Sequence, residues 1–517
     1  METALSGTVQ VPNYPVSNRV PGAYAVVDAT KANTATAAQR TLLIGQMLAS
    51  GTATAGQATI CAGTGWAQTA FGAGSQLAIA VERYINLDKV GELWILPMQD
   101  AAAAAKATGS IAFTGAATSP AVLPLYVDGN YVPVSVNTGD TAATVATNTA
   151  AALNAWSSPG GNPLSWTAAA TTGTVTLTAR NAGSLPNSGL IMLSYRGPAN
   201  GEGQFGATNV PGLTATLTQP SGGTTNPTVA NALANLPAQT FDFIHNPYSD
   251  AASTAAVTAF LSDATGRWNY SSELFGGAFT AYGGTFSART TWSTALNDQH
   301  TTAIGAYGSP NPDWHWSLDY CAAAAVSLRN NPAVPVGGLG GGVALNVLPP
   351  LLANQDSFSE QETLLYDGMS TYTVDSSGTV RIQRAITTYQ KNTAGSPDNS
   401  YLDLNVPYQL AAYIRAWRTM ITTNFNQAVL VSNGTRIPPG SSMVTPATIQ
   451  FAIVAQYSQL ATQGGYGLPA GIVSDATSFA ADIVVTNAGG GVVTCLLPVT
   501  LSSQLIVVAA DVQFTRV

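Results

Sequence analysis

The chain has 517 residues, of which 46% are hydrophobic and only 9% charged, with a formal net charge of −8 and a pI near 4.8. That length exceeds one ordinary core and predicts two to four domains, while the acidic balance leaves no global basic field for nucleic acid or an anionic membrane. A charged fraction far below the roughly 25% of average soluble proteins leaves a neutral, weakly self-repelling surface, which favours a subunit covered by its neighbours.

Residues 6–28, SGTVQVPNYPVSNRVPGAYAVVD, space Val and Tyr as a strand does, but Pro12, Pro15 and Pro21 exclude helix and a central strand position. An extended arm that some other element covers is the expectation. Next, RTLLIGQML and GELWILPMQ are nearly continuous apolar runs, the pattern of strands buried on both faces. Between them FGAGSQLAIAVERYINL predicts a helix with Leu77, Val81 and Ile85 on one side.

From Gly109 to Thr218 the composition turns to Thr, Ala and Gly. LPLYVDGNYVPVSV predicts a hairpin turning at Asp128, Gly129 and Asn130, with Val132, Val134 and Val136 on the buried face. TGTVTLTAR adds a strand with Val175 and Leu177 inward, and DTAATVATNTAAALNAW a helix. Because the earlier pattern resumes afterwards, this stretch reads as a small β-rich unit inserted into an α/β unit. TFDFIHNPYSD, GGAFTAYGG and TTAIGAYGS are the next strands. AASTAAVTAFLSDATGRW, with Val257, Phe260, Leu261 and Ala264 on one side, and DWHWSLDYCAAAAVSLRN are helices. Strand and helix in alternation predict a mainly parallel, doubly covered sheet.

TYTVDSSGTVRIQRAITTYQ predicts a hairpin around Asp375 to Gly378. In VPYQLAAYIRAWRTMITTNF, Leu410, Ile414, Trp417 and Ile421 form an apolar stripe with Arg415 and Arg418 away from it. TPATIQFAIVAQYSQLATQGG predicts a helix capped by Thr445, opened by Pro446 and stopped at Gly464 and Gly465. LIVVAADVQFTRV alternates Ala510, Val512 and Phe514 with polar residues and predicts a strand.

Several chemical readings meet little support. Cys61, Cys321 and Cys495 lack disulfide or zinc spacing and read as reduced, small apolar residues. VGGLGGGVALN lacks the G-K-[ST] ending of a phosphate loop, and GYGLPAG follows a helix where a dinucleotide fingerprint follows a strand. No cofactor or metal is expected. METALSGTVQ does not predict an export signal, and no window reaches about 18 uninterrupted apolar residues.

In order along the chain, NRVPGAYAVVDATKA, RTLLIGQMLASGTA, FGAGSQLA, ELWILPM, GSIAFTGAAT, VTLTARNAGSLPNS, DFIHNPYSDA, NDQHTTAIGAYGSPNP, the block from Glu360 to Leu404 and the closing VQF resemble contractile-tail sheath proteins of Mu-like myophages. The likeness spans nearly the whole chain, with one departure: the neutral IVSDATSFAADIVVTNAGGGVVTCLLPV stands where such proteins carry a charged segment. The resemblance implies a non-enzymatic subunit of a virion tail sheath, assembled in the host cytoplasm. Six-membered rings would stack around a tail tube protein, meet baseplate and tail terminator proteins, and contract to drive the tube through the host envelope. Direct nucleic-acid binding and membrane insertion are not implied.

The fold expected is α/β and α+β multidomain. An arm (residues 1–28) precedes a parallel-type α/β core (29–108 and 219–365) interrupted by the β-rich insertion (109–218); a C-terminal α+β domain (366–500) and a strand arm (501–517) follow. The resemblance makes the arms strands lent to neighbouring copies, through Val9, Val11, Tyr14 and Val16 at one end and Ala510, Val512 and Phe514 at the other. Arg381, Arg384, Arg415 and Arg418, the densest basic cluster, are candidates for inter-subunit ionic contacts, with local pairing on a solvated face as the alternative. Two other functions stay open: an adhesin or tail-fibre-like binding protein built on the insertion, and a subtilisin-like hydrolase using His245, His300 or His315, for which no G-x-S-x-G elbow is present.

Overall fold

The computed structural model describes residues 39–515. The amino-terminal arm with Val9, Val11, Tyr14 and Val16 lies outside the described residues.

A six-stranded sheet organises the body. Its order is Thr301–Ile304, Gly277–Ala281, Phe243–His245, Arg40–Gln46, Glu92–Met98 and Thr59–Ile60, the first five parallel and the last antiparallel. Burial follows the two-residue period of a strand on both faces. Leu43, Ile95, Phe243 and Phe279 pack towards the helices Thr64–Phe71, Gln76–Leu87 and Asp313–Asn330. Leu42, Ile44, Leu96, Ile244 and Ala278 pack towards Val229–Ala234 and Ala251–Leu261. Helices therefore cover both sides, as strands apolar at every position require.

Residues between the strands Glu92–Met98 and Phe243–His245 build two antiparallel sheets over their own core. One runs Leu213–Ser221, Thr108–Gly115, Thr174–Ala179, Trp166–Thr171; the other Asn130–Val136, Ala121–Val127, Ile191–Leu193. The hairpin turns on Asp128 and Gly129, both with positive φ (50° and 78°), the two-residue turn that Asp-Gly favours. Val132, Val134 and Val136 are buried and Tyr131, Pro133 and Ser135 exposed. Helix Ala142–Ala155 starts at Thr141, whose hydroxyl accepts the Thr144 amide.

Hairpin Thr371–Val374/Val380–Arg384 joins the body. Tyr372, Val380 and Ile382 share its core, the Ser370 amide donates to Ala303 O and the Thr388 amide to Thr301 O, covering the outer strand. The glycine-rich segment 336–346 lies along the hairpin's other side: Gly338 and Gly342 donate to Gln383 O and Ile382 O. A Cβ on Gly337 would stand 2.3 Å from Gln383 O, so close backbone approach explains that glycine.

The remaining core joins helices Asn405–Phe425, Pro446–Thr462 and Ala476–Asp482 with hairpin Val484–Gly489/Val492–Leu496.

Three local expectations need correction. The helix from Ala251 ends at Leu261, leaving Ala264 exposed in the following turn. In Asn405–Phe425 the buried face is Ala412, Tyr413, Ala416 and Met420, while Leu410, Ile414, Trp417 and Ile421 flank it half-buried. Two alanines share that face with the larger Tyr413 and Met420, and the stripe of Leu410, Ile414, Trp417 and Ile421 borders it. Finally, residues 505–515 form no strand within the single chain. Alternation supplies a pleated surface, but a strand also needs a hydrogen-bonding neighbour.

Candidate assembly surfaces

Carboxy-terminal helix Pro446–Thr462 positions the last hairpin. Thr445 caps it by accepting the Thr448 amide, and Tyr457 on its buried face stacks flat on Phe479, with ring centroids 3.7 Å apart. The Tyr457 hydroxyl donates to Ser474 O at 2.7 Å and accepts the Thr500 amide at 3.0 Å, clamping the segments that precede and follow the hairpin.

Within the hairpin, Val485 is buried and Val493 and Cys495 are half-buried against this helical layer, whereas Val484, Val492 and Leu496 are exposed. Each strand pairs only with the other, so each has one edge without a ladder partner among the described residues. Sequence reasoning passed over this element as a site. Its signal was two V-V-T triplets around N-A-G-G-G, and Gly489, Gly490 and Gly491 all take positive φ.

The chain leaves the hairpin, bridges Val473 through Leu501, and is held by Gln409, whose amide donates to Ser502 O at 3.0 Å. From Leu505 to Thr515 no backbone hydrogen bond is made among the described residues. Val512 and Phe514 are 81% and 86% exposed, and Ala510 is exposed beside them. An alternating apolar segment with unpaired amides and carbonyls therefore occurs in the same chain as a two-stranded sheet with open edges. Such edges are templates for strand addition.

All four arginines singled out from the sequence are ion-paired inside their own chain. Arg381 meets Asp375 at 2.8 Å and Arg384 meets Asp403 at 3.1 Å, both at partly exposed positions. The Ser377 hydroxyl, then Arg381, hold the Asp375 carboxyl well below the usual range. Arg415 binds the nearly buried Asp242 at 2.7 Å and donates to Phe275 O at 3.2 Å, while Arg418, more than half exposed, pairs with Glu273. The arginines thus form two separate pairs, Arg381 and Arg384 on the hairpin and Arg415 and Arg418 on the helix, the latter linking that helix to the body.

The histidines are packed. His245 ends a strand with no exposure; its Nε2 lies 3.0 Å from Ser317 Oγ, and burial pushes its pKa down to about 3. A nucleophile–base pair needs solvent access and a third group to orient the base. Here both residues are fully buried, and among the described residues no side chain contacts His245 Nδ1. His300 contacts Asp263 at 2.8 Å and stacks on Trp268; His315 sits against Trp314 and Asn311, its protonation opposed by burial. Cys321 is wholly buried, and burial raises its thiol pKa well above normal. Among the described residues no group of three metal-ligating side chains occurs, and no helix is long and apolar enough to cross a membrane.

A family model for the phage tail sheath protein central domain matches residues 222–388. The Mu-like prophage FluMu tail sheath protein of Haemophilus influenzae is 34% identical over 455 residues, covering 87% of this chain and 89% of its own. Among solved structures, a sheath tail protein from Listeria innocua aligns over 90% of this chain and 96% of its own, with a TM-score of 0.43 and 12% identity. A chain of the anti-feeding prophage baseplate aligns over 57% and 75%, with a TM-score of 0.34 and 13% identity. On the identity and reach of the Haemophilus relative, the chain belongs to the phage tail sheath proteins, and its role is that of a structural subunit of a tail sheath, not an enzyme.

Proposed function

We propose that this subunit stacks as hexameric rings around the tail tube, tied to its neighbours by strand exchange, and that the lattice contracts to drive the tube through the host envelope. The observation that carries this reading is the open-edged hairpin Val484–Gly489/Val492–Leu496 together with the unpaired alternating segment Leu505–Thr515. Ala510, Val512 and Phe514 of one copy, and Val9, Val11, Tyr14 and Val16 of another, add strands to that hairpin. An interchain hydrogen bond contributes about 1 kcal/mol net, so several per arm, repeated through a ring lattice, make a connected mesh.

Arms suit the work because the bodies must rotate and move outward while staying attached. A docked rigid face would break, whereas an extended arm keeps its pairing as the bodies swing. The prolines at 12, 15 and 21 keep the first arm out of helix and remove amides that would attract unwanted partners. In this reading the arms are residues 1–28 and 501–517, the core is 29–108 with 219–365, the outer decoration is 109–218 and the hairpin belongs to 366–500. Tube, baseplate and terminator proteins meet the sheath within the virion after assembly in the host cytoplasm.

The driving force lies in contacts that differ between extended and contracted lattices. Arg381, Arg384 and Arg418 sit in partly exposed pairs and exchange their own-chain carboxylates for a neighbour's at small cost. Arg415 exchanges at higher cost, because leaving would strand the nearly buried Asp242 charge.

Electron microscopy of the purified protein tests the reading. Striated hollow cylinders are expected from the full chain, and short or absent ones after removal of residues 1–28. Dispersed monomers of the full chain at high concentration, or normal cylinders from the truncated one, contradict it.

A further inference from the structure

A groove of about 910 Å³ runs between the inserted unit and the body. One wall is made by the loops that leave the carboxyl ends of three adjacent parallel strands: Pro247–Asp250 after Phe243–His245, Tyr282–Gly284 after Gly277–Ala281, and Ala306–Ser309 after Thr301–Ile304. The opposite wall is the insertion's Leu190–Leu193 with Leu217 and Gln219. Crevices at the carboxyl ends of parallel strands, and at junctions between units, are where α/β folds bind small molecules.

The lining defines a chemical class. Tyr282 and Trp292 stack with centroids 5.2 Å apart, and Trp292 is fixed by donating to Ser249 O at 2.8 Å. Tyr307 is 44% exposed at the same groove. Among the described residues the Tyr282 and Tyr307 hydroxyls and the Asn354 side-chain carboxamide make no hydrogen bond to another protein group.

No lysine or arginine lines the groove, so it lacks the donors that phosphate or sulfate recognition requires. A cation gains little either. Of the two carboxylates in the lining, Asp250 is already engaged by the Ser253 amide and hydroxyl at 2.9 Å and by Asn226 at 2.8 Å, and Asp313 accepts the Gly283 amide near the Arg289 cation. What remains is a set of aromatic faces beside neutral donors and acceptors. An uncharged sugar fits both: its axial C–H face carries the partial positive charge that an aromatic face attracts, and its hydroxyls match tyrosine hydroxyls and a carboxamide.

We propose that this groove is a binding site for a neutral oligosaccharide, held by the aromatic faces of Tyr307 and Tyr282 and by hydrogen bonds to the Asn354 carboxamide. The site is independent of ring assembly and adds a surface-glycan recognition function to the subunit. Its place at the junction lets a bound sugar bridge the insertion and the body.

The test uses the full-length protein with maltohexaose, cellohexaose, mannohexaose and a galacto-oligosaccharide, read by saturation-transfer NMR and calorimetry. At least one of these is expected to bind with a submillimolar Kd. Tyr307→Ala and Asn354→Ala, both at positions outside the buried core, are expected to weaken it about tenfold each while leaving the circular dichroism and melting temperature unchanged. The proposal is overturned if none of the four sugars binds, if both variants bind as tightly as the unsubstituted protein, if a sulfated oligosaccharide competes as well as the neutral one, or if microscopy of assembled cylinders places a second copy in the groove.

Discussion

The body and the carboxy-terminal unit solve the same problem in opposite ways. In the body the five parallel strands are covered by helices on both faces, and the outer strand Thr301–Ile304 is closed by Ser370 and Thr388, with the short strand Thr59–Ile60 at the other edge. Its charges are buried in pairs: Asp88 with Arg329 at 2.9 and 3.0 Å, Asp319 with Arg83 at 2.7 Å, and Asp356 with Arg289. The carboxy-terminal unit has a two-stranded sheet with both edges open, an alternating segment with nothing to pair with, and an arginine, Arg418, standing largely in solvent. A closed sheet makes a rigid piece, and an open sheet makes a joint. A lattice that must move without falling apart needs both in one chain.

The largest effect separates them completely. Deleting residues 505–517 removes a segment that from Leu505 to Thr515 is largely exposed and makes no backbone hydrogen bond among the described residues, and leaves Gln504, which donates to Ala333 O and Gln409 Oε1, in place. The truncated protein is expected to melt as the full chain does when both are monomeric, and to form no cylinders by electron microscopy. If melting falls with assembly, the segment belongs to the fold of its own chain and the comparison breaks.

Next in size is a matched pair of charge deletions. Arg329→Met leaves Asp88 buried without its cation and also removes the guanidinium lying over the Phe243 ring; a loss of about 3–5 kcal/mol is expected in urea unfolding. Arg418→Ala removes a partner from a more exposed pair, and a change below about 1 kcal/mol is expected. Equal losses in the two variants would mean that the carboxy-terminal unit is as tightly built as the body.

Much of the rigid part was legible in the sequence because burial on both faces writes an unbroken apolar run. RTLLIGQ, ELWILPM and the eighteen-residue helix from Asp313 to Asn330 are examples, each bounded by polar or turn residues. The candidate site was legible only in part. Ala510, Val512 and Phe514 announced an alternating surface, but no strand partner for them occurs among the described residues. The hairpin Val484–Gly489/Val492–Leu496 was hidden by its weak, threonine- and glycine-rich composition. The misread helix face of Asn405–Phe425 has another cause: hydrophobic periodicity weighs large residues, while the buried face includes Ala412 and Ala416. The groove left no local trace, because it is assembled from the ends of three strands and an insertion far apart in sequence.

The smallest effect concerns the junction of insertion and body, and its sign is unusual for a carboxylate. Asp128, at the hairpin turn, accepts Trp166 Nε1 at 2.6 Å and Ser165 Oγ at 2.8 Å, and its carbonyl accepts Asn311 Nδ2 from the body at 3.2 Å. Burial outweighs these donors and pushes its pKa up to about 6. A carboxyl that binds its proton more readily folded than unfolded adds stability as pH falls from about 6 to about 4, and that increment is lost as pH rises through the folded value. Depressed carboxyls such as Asp88 and Asp263 act in the opposite sense, losing their contribution as pH falls through their lowered folded values. Asp313, also raised to about 6 by burial, adds to the Asp128 trend, so the comparison must be made against a variant. Asp128→Asn keeps the shape and an acceptor for Trp166 while removing the titration. Unfolding free energies of both proteins from urea titrations at pH 4 to 7 are expected to converge at the acid end and to separate by about 1–3 kcal/mol at neutral pH, the variant being the more stable. Parallel curves would mean that Asp128 stays ionised in the fold, its charge satisfied by Trp166 and Ser165 within the insertion while only its carbonyl reaches Asn311 of the body.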